Sequence, residues 1–527
     1  MNRSKAKKIL GRLPYTVELY WHMVQRHQPW QAHFRLDILD QYLVDAVKQA
    51  QAFREKADTG KKIYIFASLH YWIEKCALLG LALAGKGNQV TFSFLPYANW
   101  DKPIEQFDLR RQNAYAKQIL NHASSLINVQ SLLDIQPLSN KLPEEFERAV
   151  EEVSVFDCQY TLQREEIAKT ETLYKLRYER NREAALKARA WLIAHKPDLC
   201  ILPNGTIQEM GVVYWVAKHL GIPTVTFEFG DQRERIWLAQ NAQIMLQDTD
   251  DLWNTRGKLP LDESQLANLS ELYEAREAAQ TWMNFSRKWQ EVPSEGGQII
   301  RQKLQLDGRP VVLLATNVLG DSLTLGRQIF TKTMTEWVQK TIQFFTHQDS
   351  CQMLIRIHPG ELLINGASLV TVVESLLDED ADHIHIIRPD EQINTYDLLD
   401  ITDLGLVYST TVGLEMAMRG IPVIVAGNTH YRNRGFTHDP KSWEDYIYVL
   451  DELLQNLEHS RLTSEQVALS RRYAWLFFFN FPKPYPWHLI DLKEDYQQRP
   501  IDYVLGEIGE KKYGETFEFL SGKPISW

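Results

Sequence analysis

The sequence predicts an α/β protein made of two Rossmann-like domains facing a cleft, with extra helices at both ends. Three observations lead there. Short β-branched or apolar runs alternate with helical segments in both halves of the chain. Continuous apolar runs such as Val-Val-Leu-Leu-Ala at 311–315 suit parallel strands covered by helices on both faces. A length of 527 residues exceeds what one core usually serves.

Taken in order, residues 1–58 read as helical, with a basic beginning (Arg3, Lys5, Lys7, Lys8, Arg12) and then aromatics (Tyr15, Tyr20, Trp21, Trp30). Two readings stand for them: a helix packed on the first domain, or an amphipathic surface in peripheral contact with anionic lipid headgroups. Strands are expected at 62–69 and 89–95, with a helix over 73–84 between them that ends at Gly85 and Gly87, which is a βαβ unit. Residues 140–196 are charged and helical. A buried-strand run at 197–205 ends in a turn, a helix follows over 209–220, a strand over 221–230, and a further candidate near 242–246. From 260 to 303 the chain is polar and helical, so the domain junction is placed there: 1–300 for the first domain and 301–484 for the second. The second half gives strands at 310–316, 352–357, 383–387, 404–408 and 421–426. After 462 comes a helix with an aromatic run, then Pro482, Pro484 and Pro486, which would let the tail 485–527 return to the first domain.

Composition narrows the class. A 44% hydrophobic fraction with 11% aromatics fits a globular enzyme, and a net charge of −10 argues against a general affinity for nucleic acid. The four cysteines (Cys76, Cys158, Cys200, Cys351) lack CxxC spacing, which argues against a structural zinc and for a reducing compartment. No apolar run is long enough to span a bilayer, and the basic start has no apolar core behind it. A cytoplasmic protein is expected.

In doubly wound sheets ligands bind at the carboxyl ends of the strands. Four segments place polar residues there. In Leu354-Ile-Arg-Ile-His-Pro-Gly-Glu361, Arg356 and His358 alternate with apolar residues, and His358 falls at a strand tip where it can donate to a phosphate. In the segment 407–415, Ser409, Thr410, Thr411 and Gly413 open a helix whose free N–H groups and dipole favour an anion; Glu415, one turn in, can accept from ribose hydroxyls. Arg432 and Arg434 lie in a polar loop after the 421–426 strand, expected to close over a donor. Asn204 and Gly205, with Glu228 and Asp231, mark the first domain's tips. Singly these signals are weak: a hydroxyl before a helix is an ordinary N-cap, and Glu415 could pair with Arg419 four residues on. Their order is what carries weight.

That order resembles a known family. The segments "RIHPGE" and "YSTTVGLEMAMRGIPVIVAGNTHYRNRGFT" look like the C-terminal domain of the capsule polysaccharide biosynthesis proteins, and "PNGTIQEMGVVYWVAKHLGIPTVTFEFG" is similar to that family's asparagine-glycine, helix, strand pattern. The resemblance covers about 195–235 and 350–440, and 100–195 carry no signature of it. It implies a GT-B-like, Kdo-transferase-like glycosyltransferase that takes a nucleotide-activated sugar, CMP-linked in the Kdo enzymes, as substrate rather than cofactor. By resemblance, His358, Ser409, Thr410 and Glu415 match the phosphate and ribose positions.

The expected activity is transfer of a sugar to a glycan or lipid-linked acceptor, donor on the second domain, acceptor on the first. The alternatives are a sugar-nucleotide epimerase, a polyol-phosphate transferase, or a catalytically silent nucleotide- or glycan-binding subunit of an envelope-assembly complex. No metal is expected: there is no DxD in a strand–loop context, Asp378-Glu379-Asp380 reads as solvated surface, and His383 with His385 lacks a third ligand. Transfer needs a general base, for which Glu228, Asp231 and His70 are the candidates. Glu228 leads, because its apolar flanks should raise its pKa; pairing with Arg233 or Arg235 is the structural alternative.

Overall fold

The computed structural model describes residues 3–24, 34–285, 288, 290–363, 368–377 and 381–527, so Trp30 and the acidic run 378–380 lie outside the described residues. Among the described residues twelve strands follow in chain order: β1 (Lys62–Ser68), β2 (Gln89–Leu95), β3 (Asn128–Ser131), β4 (Leu199–Pro203), β5 (Thr224–Glu228), β6 (Arg235–Gln240), β7 (Val311–Ala315), β8 (Gln352–Arg356), β9 (Ile384–Ile387), β10 (Leu404–Val407), β11 (Val423–Val425) and β12 (Lys483–Pro484). They form two sheets in two compact units.

Unit 1 comprises residues 1–158, 168–245 and 483–526. Its seven strands run in the order β12-β6-β5-β4-β1-β2-β3. Strands β3 to β5 are parallel, and β6 and β12 add antiparallel at one edge. The helix His70–Gly85 is buried from Trp72 onward because nearly every residue in it is apolar. Gly87, at φ 99°, ends that helix by donating its N–H to the Ala84 carbonyl at 2.9 Å. The tail joins this core: Tyr485, Trp487 and Phe517 are fully buried in the same cluster as the residues of β1 and β4, and their rings pack on one another.

Unit 2 comprises 159–167, 246–482 and Trp527. Its sheet, β11-β10-β7-β8-β9, is parallel throughout. The polar stretch expected at the junction thus belongs here, and the division falls at 245/246 rather than 300/301. Its polar groups bind unit 2. Asn394 donates to the carbonyls of Glu277 (2.9 Å) and Val292 (2.7 Å), Asp397 accepts from the Glu295 N–H (2.9 Å), and Arg276 pairs with Glu415 (2.7 Å).

Counted within its own unit, each parallel sheet has the order 3-2-1-4-5, a Rossmann-like arrangement whose direction reverses between the first and fourth strands. Three strands differ from expectation. β3 and β12 escaped notice as a four-residue, partly exposed edge strand and a two-residue one. The candidate at 242–246 is a turn around the 3-10 helix Ile244–Leu246; the strand lies just before it, as β6, whose arginine and glutamine ends disguise it. Among the described residues no helix is long and apolar enough to cross a membrane.

Candidate functional site

In unit 2 the reversal lies between β7 and β10, and their carboxyl ends lead into Thr316-Asn317 and Tyr408-Ser409. Asn317 ties them together: its Oδ1 accepts from the Ser409 N–H (3.2 Å) and hydroxyl (3.4 Å), which leaves its NH2 as a donor. On the β8 side, the Thr316 hydroxyl accepts from the His358 N–H (3.0 Å) and donates to the Arg356 carbonyl (3.4 Å). The His358 ring is exposed, and its Nδ1 accepts from the Gly360 N–H at 2.9 Å. That bond puts the hydrogen of the neutral ring on Nε2. Half-exposed Ser409 and Thr411 precede the short helix Val412–Met418, and Thr410 is buried, its carbonyl accepting from the Tyr431 hydroxyl at 2.6 Å. Gly413 is required by packing, since a Cβ there would sit 2.4 Å from that hydroxyl. These strand ends therefore carry an imidazole donor, an amide donor and hydroxyls, the groups that bind a phosphate. Asn317 was not legible in the sequence; it stands alone between a strand and a glycine-containing loop.

The other residues expected at the donor have different partners. Arg356 is buried and donates to the carbonyls of Arg388 (2.9 Å) and Ile393 (3.1 Å); burial lowers its pKa to about 10. Arg432 is buried and donates to the carbonyls of Val425 (2.6 Å) and Pro440. Arg434 pairs with Asp250 (2.5 Å) and donates to the Thr249 hydroxyl (3.1 Å). Both loop arginines thus fasten the loop to unit 2 instead of closing over a ligand. Glu415 is buried too, its carboxylate accepting from Arg276 at 2.7 Å and from the Tyr396 hydroxyl. Burial pushes its pKa up against the pull of Arg276. Arg276 itself lies over Phe478 (4.4 Å) and Tyr273 (4.9 Å), so this pair is built into the core and not offered to a ribose. His383 and His385 are each hydrogen-bonded, to the Phe345 carbonyl (2.8 Å) and the Gln352 side chain (2.7 Å). No group of three or more His, Cys, Asp or Glu among the described residues is placed to hold a metal ion.

In unit 1 the reversal lies between β1 and β4. Asn204, at φ 57°, turns the chain there: its Oδ1 accepts from the N–H groups of Thr206 (3.0 Å) and Ile207 (3.3 Å), and its NH2 donates to Glu228 Oε2 (2.9 Å). Gly205 follows at φ 77°, where a Cβ would meet Thr226 at 2.5 Å. Glu228 also accepts from the Phe229 N–H at 2.9 Å, so Asn204 holds it rather than Arg233 or Arg235. Burial raises its pKa, opposed by Asn204, the Phe229 N–H and Lys75. His70 begins the helix after β1; burial lowers its pKa, and its Nδ1 is buried without a hydrogen-bond partner. Asp231 is half-exposed in the β5–β6 loop.

Two features at these strand ends were missed. Arg177, from the helix Thr172–His195, is fully buried and pairs with Asp157 (2.9 Å) and Glu209 (2.8 Å). Burial works against the ionised form of Glu209, yet Arg177 and Arg180 hold its pKa below the usual value. Lys75 is buried, donates to the Trp487 carbonyl (3.0 Å) and lies 4.3 Å from the Phe229 ring centroid; burial drives its pKa well down. Arg177 hides in a helix whose charge density reads as solvated, and Lys75 as a single cation in an apolar helix whose partners lie far off in sequence.

No protein-family model matches the chain, and no curated protein matches it. Among solved structures it is similar to KpsC, a beta Kdo 2,4 transferase of Thermosulfurimonas dismutans, at 16% identity and a TM-score of 0.37, over 59% of this chain and 88% of that one. It is also similar to the UDP-GlcNAc 2-epimerase of Neisseria meningitidis bound to UDP-GlcNAc, at 12% identity and 0.24, over 80% and 100%. A third is the glycosyltransferase SsfS6 of Streptomyces sp. SF2575 with thymidine diphosphate, at 12% and 0.20, over 84% and 98%. Likenesses this distant leave function to the residues themselves.

Proposed function

We propose that the chain is a glycosyltransferase that moves a sugar from a nucleotide-activated donor to a glycan or lipid-linked acceptor of cell-surface polysaccharide synthesis. The observation that carries this reading is the Asn317–Ser409 bridge across the unit 2 reversal, with His358, its ring exposed, tied beside it by the bond from its backbone N–H to the Thr316 hydroxyl. The resemblance of "HPGE" and "STTVGLE" to the capsule polysaccharide proteins supports it, and makes a CMP-linked sugar the first donor to test.

In this reading unit 2 binds the donor and unit 1 the acceptor. The acceptor oxygen attacks the anomeric carbon, the bond from that carbon to the phosphate oxygen breaks, and the nucleotide leaves. His358 Nε2–H, Ser409 and the Asn317 amide stabilise the charge gathering on the phosphate. Glu228 takes the acceptor's proton, the raised pKa suiting a base that works near neutrality. The reaction so written uses no cofactor and no metal, and turnover undiminished by excess chelator is expected.

A thermal-shift screen of nucleotide sugars tests the donor class: a ligand at 100 times its Kd stabilises the folded state by about 2.7 kcal/mol. The donor so found should lose its sugar only when a glycan or lipid-linked acceptor is present. Conversion to an epimer without acceptor would establish an epimerase instead, and binding without turnover a silent subunit.

A further inference from the structure

The two N-terminal helices, Arg3–Arg12 and Thr16–Val24, form a hairpin that grips unit 1 with one face and leaves the other bare. The gripping face is specific. Val17 and Trp21 are buried, Trp21 Nε1 donates to Gln118 at 2.9 Å, and Arg110 donates to the carbonyls of Gly11 (2.9 Å) and Leu13 (2.7 Å) while pairing with Glu18. Gly11 presses so closely on the helix Gln106–Leu120 that a Cβ would lie 2.7 Å from the Phe107 nitrogen.

The bare face is apolar. Ile9, Leu13, Leu19 and Met23 are 52%, 46%, 59% and 77% exposed, and Leu10 and Val24 are exposed beside them. At the tip, Tyr15 is 76% exposed on a backbone with φ 61°, a conformation a bulky residue rarely takes. Aliphatic residues gathered on one docked element are unlike the scattered exposed leucines of an ordinary surface. The charge beside them is one-sided: residues 1–24 hold five basic residues (Arg3, Lys5, Lys7, Lys8, Arg12) and one acid, Glu18, in a chain of net charge −10. Lys7 is engaged by Asp108 and Glu18 by Arg110; the Lys8 side chain, 62% exposed, meets the exposed Glu105 carboxylate at 3.8 Å, and Arg12 is exposed.

We infer that this hairpin is a docking surface for a bilayer rich in anionic lipid, its aliphatic face and Tyr15 entering the headgroup boundary and Lys8 and Arg12 meeting the lipid phosphates. Charge complementarity selects that occupant: an apolar strip edged by basic residues matches an anionic membrane surface. The inference is independent of the donor site, and a lipid-linked acceptor would be met at the same surface.

Flotation of the full chain with vesicles tests it. Binding is expected to vesicles of phosphatidylethanolamine with phosphatidylglycerol, to weaken as salt is raised, and to be much weaker with pure phosphatidylcholine. Leu19→Glu with Met23→Glu should lower binding more than tenfold, since two apolar anchors become charged. Lys8→Glu and Arg12→Glu should each lower it about fivefold or more. Circular dichroism and the melting temperature should not move, because these side chains are exposed; Tyr15→Ser supplies a further variant should the glutamates disturb the hairpin. Equal binding to both vesicle types, or unchanged binding by folded variants, would overturn the inference. So would failure to bind vesicles together with self-association abolished by Leu19→Glu, which would mark a contact between protein copies.

Discussion

At Glu415, helix position and burial ask for different things. Its place in the first turns of a helix suits a ribose, but its carboxylate is buried against Arg276 and Tyr396. Glu415→Ala is therefore expected to remove about 3–5 kcal/mol of stability, because a buried guanidinium loses its counter-charge. Denaturant unfolding checks this, with Arg276→Ala costing a similar amount and the double variant costing less than the sum. A stable Glu415→Ala variant with weakened nucleotide binding would return the residue to the site. Glu228 is the opposite case: held by Asn204 and the Phe229 N–H, it should tolerate Glu228→Gln, keep its donor affinity and lose about 100-fold or more in turnover. Retained turnover in that variant moves the search to Asp231 and His70. Glu74 gives a pH signature. Burial raises its carboxyl to about 7, opposed by the backbone N–H groups of Ile38 and Leu39. A folded-state pKa above the unfolded one means the folded chain binds the extra proton. Stability is then full below the unfolded value of about 4.3 and falls as pH rises toward 7. Glu74→Gln should flatten that fall in melting temperature between about pH 4 and 7.

The short helix Val412–Met418 is fixed by close packing rather than by its length, and stability measurements test that packing. Gly413→Ala would set a methyl group 2.4 Å from the Tyr431 hydroxyl and is expected to cost about 1–3 kcal/mol. Adding Tyr431→Phe removes the clashing oxygen, so unfolding of the double variant should show part of that loss recovered. Elements with continuous apolar runs, such as β1, β2 and β7, were legible to within a residue or two. So was the position of His358 at a strand tip. Arg356, Arg432 and Arg434 were not, because sequence shows a charge near a loop but not which carbonyls will surround it. Asn317 and the Arg177 cluster stayed hidden for the same reason: partners far apart in sequence define them.

At the scale of the whole chain, neither unit is one continuous segment. Residues 483–526 supply Tyr485, Trp487 and Phe517 to the unit 1 core, and each large aromatic removed from a core costs about 3–5 kcal/mol. Losing all three approaches the whole stability of a domain, about 5–15 kcal/mol. A chain ending at Pro482 should keep a cooperative transition for unit 2 in calorimetry and lose that of unit 1. The junction was misplaced by about fifty residues because a polar helical stretch reads as a linker, while its polar groups in fact bind unit 2. Where the nucleotide sits is decided by a crystal structure with the nucleotide chosen by the thermal-shift screen. Difference density is expected at the carboxyl ends of β7, β8 and β10, with a phosphate oxygen within hydrogen-bonding distance of His358 Nε2 and of Ser409. Density for the nucleotide at the unit 1 strand ends, with the His358–Ser409 region holding only water, would contradict it.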